Sequence, residues 1–144
     1  MTEITRQIGI AAVNTAVIAR LKADAYTIAY AAKIFNHVPT GTAMPYIHAT
    51  NYMCRPSAML GSRDFAPEDV SFQVHVWDAS LGDTACANIM NLVTKALTNS
   101  ALSITGYANL YNCQLDFADI IIDTTEPTTP VRHGVTRFIL RICP

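Results

Sequence analysis

The sequence predicts an α+β fold in which helices cover one face of a mainly antiparallel sheet. The first observation is the alternation of Val70, Phe72, Val74 and Val76 with polar residues, which is the period of a half-buried strand. The second is an amphipathic helical pattern that follows this strand closely. The third is a pair of alternating segments near the C-terminus. A helix laid on a sheet buries both apolar faces, which explains why these elements belong together.

The N-terminal segment from Thr2 to about Leu21 has the apolar spacing of a helix. Its apolar positions cover more than half of the circumference: Ile4, Ile8, Ile10, Val13, Val17, Ile18 and Leu21. Such a helix is either deeply buried or shared with a partner. The alanine-rich segment from Ala23 to Lys33 predicts a second, shorter helix, with Asp24 as its cap.

The next part of the chain predicts two strands and a long loop. Residues 34–38 predict a short strand, and Pro39 to Thr42 predict a turn. Pro45 opens a strand that runs through Tyr52, since proline fits a first strand position. The segment from Arg55 to Pro67 predicts a loop far longer than a tight hairpin needs, and such connections are often functional or mobile.

The central strand and helix are joined by turn and capping residues. Trp77 and Asp78 end the strand, and a capping segment at residues 80–83 follows. A helix then runs to about Leu97, before Asn99. Its apolar face consists of Ala85, Ile89, Leu92, Val93 and Ala96.

The C-terminal part predicts an antiparallel hairpin. One strand covers Leu110 to about Asp123, with a bulge near Ala118, and a turn follows at residues 124–130. The last strand covers Val131 to Cys143. It places Phe138, Leu140 and Ile142 on one face, and Arg137 and Arg141 on the other.

Length and composition indicate a folded protein with one domain over residues 1–144. Hydrophobic residues make up 51% of the chain and charged residues 15%, which excludes a disordered protein. The formal net charge of −1 gives no overall field to attract nucleic acid or an anionic membrane. This composition fits either a surface partly covered by other subunits or a generously buried monomer. Glu3 and Arg6 interrupt any signal peptide, and no run approaches the ~18 apolar residues of a membrane span, so a cytoplasmic origin is expected.

No residue pattern predicts an enzyme, a cofactor or a metal site. The four cysteines, Cys54, Cys86, Cys113 and Cys143, are widely spaced, which favours free thiols over disulfides or zinc ligands. Phosphate-binding loops and nucleophile elbows are absent.

Histidines and aspartates leave two alternatives open. His48 and His75 lie in strands that could be neighbours, and such a pair binds a metal, shuttles a proton, or is simply part of a polar sheet face. We favour the polar sheet face. Asp116, Asp119 and Asp123 are interpreted as solvated or interface charges.

The order of these elements resembles the small tail-completion, or tail-terminator, proteins of tailed bacteriophages. The segments that carry the resemblance are Pro45-Tyr46-Ile47, Val74-His75-Val76-Trp77-Asp78, Lys95-Ala96-Leu97 and Arg132-His133-Gly134, and the likeness extends from about Ala12 to Ile142. It implies a virion protein that assembles into a ring, usually of six copies, in the neck region. It also implies contacts with the tail-tube protein and the head-tail connector, no catalytic residues, and DNA only as cargo passing through the ring.

The long loop is the predicted contact with these partners. Mixed charges and apolar side chains suit an interface better than a solvated tip. The candidate contact residues are Arg55, Met59, Leu60, Arg63, Asp64, Phe65 and, in the last strand, Arg132. The competing hypotheses are another neck or tail protein, such as a head-completion or tube protein, and a small ligand-binding domain or enzyme.

Overall fold

The computed structural model describes residues 8–56, 67–123 and 130–144 and confirms the α+β class. The elements in chain order are α1 (Ile10–Ala23), a 3₁₀ helix (Ile28–Lys33), β1 (Ile34–Phe35), β2 (Tyr46–Pro56), β3 (Glu68–Asp78), α2 (Thr84–Thr98), β4 (Ala108–Asp123) and β5 (Val131–Cys143). In these parts of the chain no helix is long and apolar enough to cross a membrane.

The described strands form one five-stranded sheet in the order β1-β2-β3-β5-β4. The two-residue strand β1 runs parallel to β2, and every other neighbouring pair is antiparallel, as predicted. The strands β4 and β5 form the predicted hairpin, and β4 lies at the edge of the sheet.

The core lies between the sheet and the two α-helices. Phe72, Val74 and Val76 of β3 are fully buried, as their alternation predicts, and Phe72 stacks on Phe138 of β5 with ring centroids 5.5 Å apart. The buried residues of α2 are Cys86, Ile89, Met90, Val93, Ala96 and Leu97. The predicted helix face is therefore rotated slightly, since Ala85 and Leu92 are only half-buried.

The helix α1 begins at Ile10, whereas the predicted helix starts at Thr2. Residues 2–7 of that prediction lie outside the described residues. The Gly9 N–H donates to Oε2 of the buried Glu68 at 2.9 Å. A Cβ at Gly9 would come within 2.4 Å of the Cδ1 atom of Ile142, so Ile142 would have to move to admit a side chain there. The buried carboxylate satisfies a backbone N–H just before the first helical turn, and no local sequence pattern encodes this long-range contact.

The predicted second helix over Ala23 to Lys33 is present only in its second part, because α1 ends at Ala23 and a 3₁₀ helix covers Ile28–Lys33. Asp24 is the residue after α1, has extended backbone angles, and accepts a hydrogen bond from the Tyr26 N–H at 2.9 Å. The side-chain hydroxyl of Thr27 donates to the Leu21 carbonyl. The Thr27 hydroxyl satisfies a carbonyl in the last turn of α1, and the Asp24 carboxylate satisfies an N–H in the turn that follows, so the chain turns here instead of continuing as an α-helix.

Two strand boundaries also differ from the prediction. The strand β2 starts after Pro45 and continues to Pro56, because Arg55 pairs with Asp69 and Pro56 with Glu68. Arg55 is therefore a strand residue, and the connection to β3 is shorter than predicted. The strand β1 has two residues rather than five.

The edge strand β4 begins at Ala108 and is irregular in its first half. Its register with β5 shifts between Asn109 and Tyr111, between Tyr111 and Gln114, and between Leu115 and Phe117. The predicted bulge near Ala118 thus corresponds to the last of these shifts, which lies just before it. From Phe117 to Asp123 the pairing is continuous.

Candidate interaction surfaces

The long connection between β2 and β3 contains most of the predicted contact residues. Met59, Leu60, Arg63, Asp64 and Phe65 lie outside the described residues. The strand ends that carry the connection are described: Pro56 lies opposite Glu68 in an antiparallel pair. The connection therefore leaves and re-enters the sheet at neighbouring points.

Arg55, the first predicted contact residue, is exposed and lines a shallow cavity of about 210 Å³. The other lining residues are Asp69, Val70, Ser71, Tyr111 and Ile139. Arg141 binds Asp69 through two hydrogen bonds of 2.6 and 3.1 Å, and these lower the pKa of Asp69. The carboxylate beside Arg55 is thus already neutralised by a second arginine.

Arg132, the last predicted contact residue, is largely buried and binds another part of the same chain. Its Nε donates to Oδ1 of Asp83 at 2.7 Å. Asp83 precedes α2 and makes no capping hydrogen bond through its side chain. Arg132 therefore links the start of β5 to the start of α2. This is a contact within the chain, which differs from the predicted contact with a partner.

An exposed apolar strip lies on the edge strand β4 and was not predicted as a surface. Phe117, Ile121 and Ile122 have exposed fractions of 51%, 48% and 51%. Proteins protect edge strands with prolines, lysines or bulges, yet β4 contains no proline, lysine or arginine and has regular pairing in this half. We call Phe117–Asp123 the open edge.

The charges on this strand are all acidic. Asp116 lies 3.7 Å from Arg137 in an exposed ion pair. Asp119 and Asp123 pair with Val135 and Val131 of β5, so they share a face, as the period-two pattern predicts. The last register shift places Asp116 beside the same arginine-bearing face, which a simple alternation does not predict.

The face of the sheet opposite α1 and α2, which we call the open face, carries a row of aromatic rings. His48 and His75 are direct cross-strand partners with ring centroids 6.3 Å apart, which confirms that their strands are neighbours. His133 joins them from β5, stacked on Trp77 at 3.8 Å with an interplanar angle of 10°. Sequence reasoning missed His133, because its position depends on the register between β3 and β5.

The electrostatics of this row disfavour charge on its central ring. The pKa of His75 is lowered to about 4, chiefly by burial and further by the neighbouring rings of His133 and His48. Burial also lowers the pKa of His133, whereas Asp123 raises it. Within the described ranges no group of three or more histidine, cysteine or acidic side chains is arranged to hold a metal ion.

None of the four cysteines, which all lie in the described ranges, forms a disulfide, as predicted. Cys86 and Cys113 are buried, and burial raises the pKa of both, to about 12 for Cys113. A buried thiol with a raised pKa is a poor nucleophile, because the thiolate is the reactive form.

Comparison with known proteins supports the resemblance drawn from the order of elements. A family model described as "Tail completion protein gp17" matches residues 15–142. The fold is similar to that of a chain in the structure "Virion of native gene transfer agent (GTA) particle", with a TM-score of 0.78, 18% identity, and coverage of 94% of this chain and 98% of that one. No curated protein matches the sequence.

Proposed function

Because the chain belongs to the tail completion protein gp17 family, and is therefore a structural virion component rather than an enzyme, we propose that it forms a ring that caps the tail tube. In this proposal the ring, of six copies, ends polymerisation of the tube and joins it to the head connector. The partners are other copies of this chain, the tail-tube protein and a connector or neck protein. DNA passes through the ring only as cargo.

The observation that carries this proposal is the open edge of β4. A closed ring needs a heterologous contact, in which one surface of each copy meets a different surface of the next. Among the described residues the open edge has a neighbouring strand on one side only, and it exposes Phe117, Ile121 and Ile122. An exposed apolar edge of this kind favours association with another chain.

The proposed contacts with tube and connector lie elsewhere. The connection between β2 and β3 joins these strands at Pro56 and Glu68, at one end of the pair, whereas the open edge lies along the side of the sheet. Arg55 and the loop residues Met59, Leu60, Arg63, Asp64 and Phe65 are proposed to bind a neighbouring layer of the virion. Arg132 is proposed to support the fold through Asp83 rather than to contact a partner.

Sedimentation and electron microscopy of the purified protein test the ring and its contact together. We expect rings from the unmodified chain and monomers from Ile121→Lys, because a lysine on an edge strand opposes strand pairing. The control is Leu81→Lys, which changes an apolar residue in the turn before α2 that is even more exposed than Ile121, at 90% against 48%. That variant should keep the ring.

Each other outcome removes a different part of the proposal. Rings formed by Ile121→Lys would show that the open edge is not the contact between copies. Unmodified chains that stay monomeric at high micromolar concentration, even with tail tubes present, would contradict the ring. Long filaments would favour a tube protein instead.

A further inference from the structure

Two imidazole rings face each other on the open face of the sheet. The Nδ1 atom of His75 and the Nε2 atom of His133 are 2.5 Å apart, with ring centroids at 4.8 Å. The pairing of β3 with β5 sets this contact. Trp77 lies directly opposite His133, and His75 lies two residues before Trp77 on the same face of β3, diagonal to His133. Only one proton fits between two such nitrogens, because two facing N–H groups repel each other.

The surrounding hydrogen bonds decide which histidine donates. The side-chain oxygen of Gln73 accepts from Asn51 Nδ2 at 2.8 Å and lies 3.0 Å from Nε2 of His75. An amide oxygen can only accept, so His75 Nε2 carries its proton. A neutral imidazole has one N–H, hence His75 Nδ1 is the acceptor and His133 Nε2 is the donor.

A first additional proton leaves this arrangement intact. It binds Nδ1 of His133, which keeps Nε2–H donating to His75 and turns the bond into a charge-assisted one. The resulting imidazolium lies against the face of Trp77, where a cation is favoured. Asp123 also favours the positive charge on His133.

A second proton has only the accepting nitrogen of His75 available. It would place N–H against N–H and two positive rings 4.8 Å apart. We propose that His75 and His133 form a two-step proton switch, which stays closed with one added proton and opens with the second. Opening separates His133 from His75 and releases its stack on Trp77.

The neighbouring ionisable groups modify both steps without supplying a competing acceptor between the two rings. His48 on β2 lies beside His75 and donates through Nε2 to the Asn36 carbonyl at 2.9 Å. The other ionisable residues on this face that lie nearest in register to the pair are Tyr46, Asp119, Asp123 and Arg137. Arg55, Asp69, Tyr111 and Arg141 share the face but lie toward the other end of the strands. A charged His48 disfavours the second proton, which widens the separation between the two steps.

The chain contains one tryptophan, Trp77, so its fluorescence reports directly on the switch. An imidazolium in contact with an indole quenches its emission. We therefore expect emission to fall as His133 binds the first proton and to rise again near pH 4, where His75 titrates. Far-UV circular dichroism recorded in parallel should remain unchanged through the first step.

Three variants separate the two steps. His75→Asn should keep the fall in emission and lose the later rise, because His133 still stacks on Trp77 but has no partner to repel. His133→Phe should lose both steps while keeping an aromatic ring against Trp77. The control His37→Asn changes an exposed histidine outside the sheet and should keep both steps.

Two results would overturn the switch. One is a later rise in emission that persists in His75→Asn, or that coincides with loss of helical dichroism in every variant, which is general acid unfolding. The other needs no variant: nitrogen NMR of the unmodified chain at neutral pH should find both His75 and His133 protonated on Nε2. Any other tautomer contradicts the hydrogen-bond assignment.

Discussion

At the scale of single residues, Gly134 is a position where close packing excludes a side chain. A Cβ built there would lie 2.5 Å from Sδ of Met90 and 2.9 Å from Sγ of Cys86. We expect Gly134→Ala to lower the free energy of unfolding by about 1–3 kcal/mol, as overpacking of a core does. Urea unfolding measures the loss. The same change in a Met90→Ala background should cost less, and an equal cost in both backgrounds would place the conflict elsewhere.

The histidine pair predicts how stability depends on pH. The pKa of His75 in the folded protein is about 4, below the ~6.5 of an unfolded chain, so the unfolded state binds more protons between these values. Stability contributed by the neutral ring is complete above about pH 6.5 and is lost as the pH falls toward 4. Urea unfolding at pH 7, 6, 5 and 4 should show this fall, and His75→Asn should make it shallower. Equal slopes for the two proteins would contradict the prediction.

The individual residues also show what the sequence could reveal about the candidate sites. The alternation in two strands was enough to bring His48 and His75 together. His133 and Gly9 could not be placed in this way, because each depends on a contact across more than fifty residues: His133 with His75, and Gly9 with Glu68. Arg132 has the same difficulty, since its partner Asp83 lies in another element.

At the scale of elements, the inward face of the central strand β3 lies in the middle of the core. Phe72 is fully buried and stacks on both Tyr52 and Phe138. We expect Phe72→Ala to cost about 3–5 kcal/mol, because it removes this burial and leaves a cavity. Ser71→Ala, on the opposite face of the same strand, is the matched control and should change stability little. A denaturation midpoint unaltered by Phe72→Ala would refute the assignment of this face to the core.

Elements were predictable where one periodic pattern covers their whole length. The strand β3, the helix α2 and the strand β5 satisfy this condition, and all three were predicted to within a few residues. Ends that depend on a partner strand were not: Arg55 belongs to β2 only because it pairs with Asp69. The predicted second helix is reduced to a 3₁₀ helix, because the side chains of Asp24 and Thr27 bond to backbone groups in and just after the last turn of α1, which composition alone does not show.

At the scale of the whole molecule, the sheet order determines which surfaces remain available. Alternation identifies β4 as a strand, but it does not reveal that β4 lies at the edge. The apolar residues Phe117 and Ile121 therefore look like core residues in the sequence, whereas the structure exposes about half of each. The family, in contrast, followed from the order of elements along the chain, which the sequence does contain.

The last prediction concerns the connection between β2 and β3. Its two ends are held by the fold: Pro56 pairs with Glu68, and Glu68 accepts hydrogen bonds from Gly9 and Cys54. Deleting Ala58 to Asp64 leaves four residues between these ends, which is enough for a hairpin loop. We expect the variant to fold and form rings, but not to join heads to tails.

Assembly reactions with purified heads and tails, counted by electron microscopy, measure that joining. A second variant, with residues 58–64 replaced by glycine and serine at the same length, removes the side chains without shortening the connection. If contacts of Met59, Leu60, Arg63 and Asp64 bind the neighbouring layer, both variants should fail to join. Joining by the glycine-serine variant alone would assign the role to loop length, and joining by both would remove any role for these residues. A variant that fails to fold would indicate that the loop packs on its own subunit.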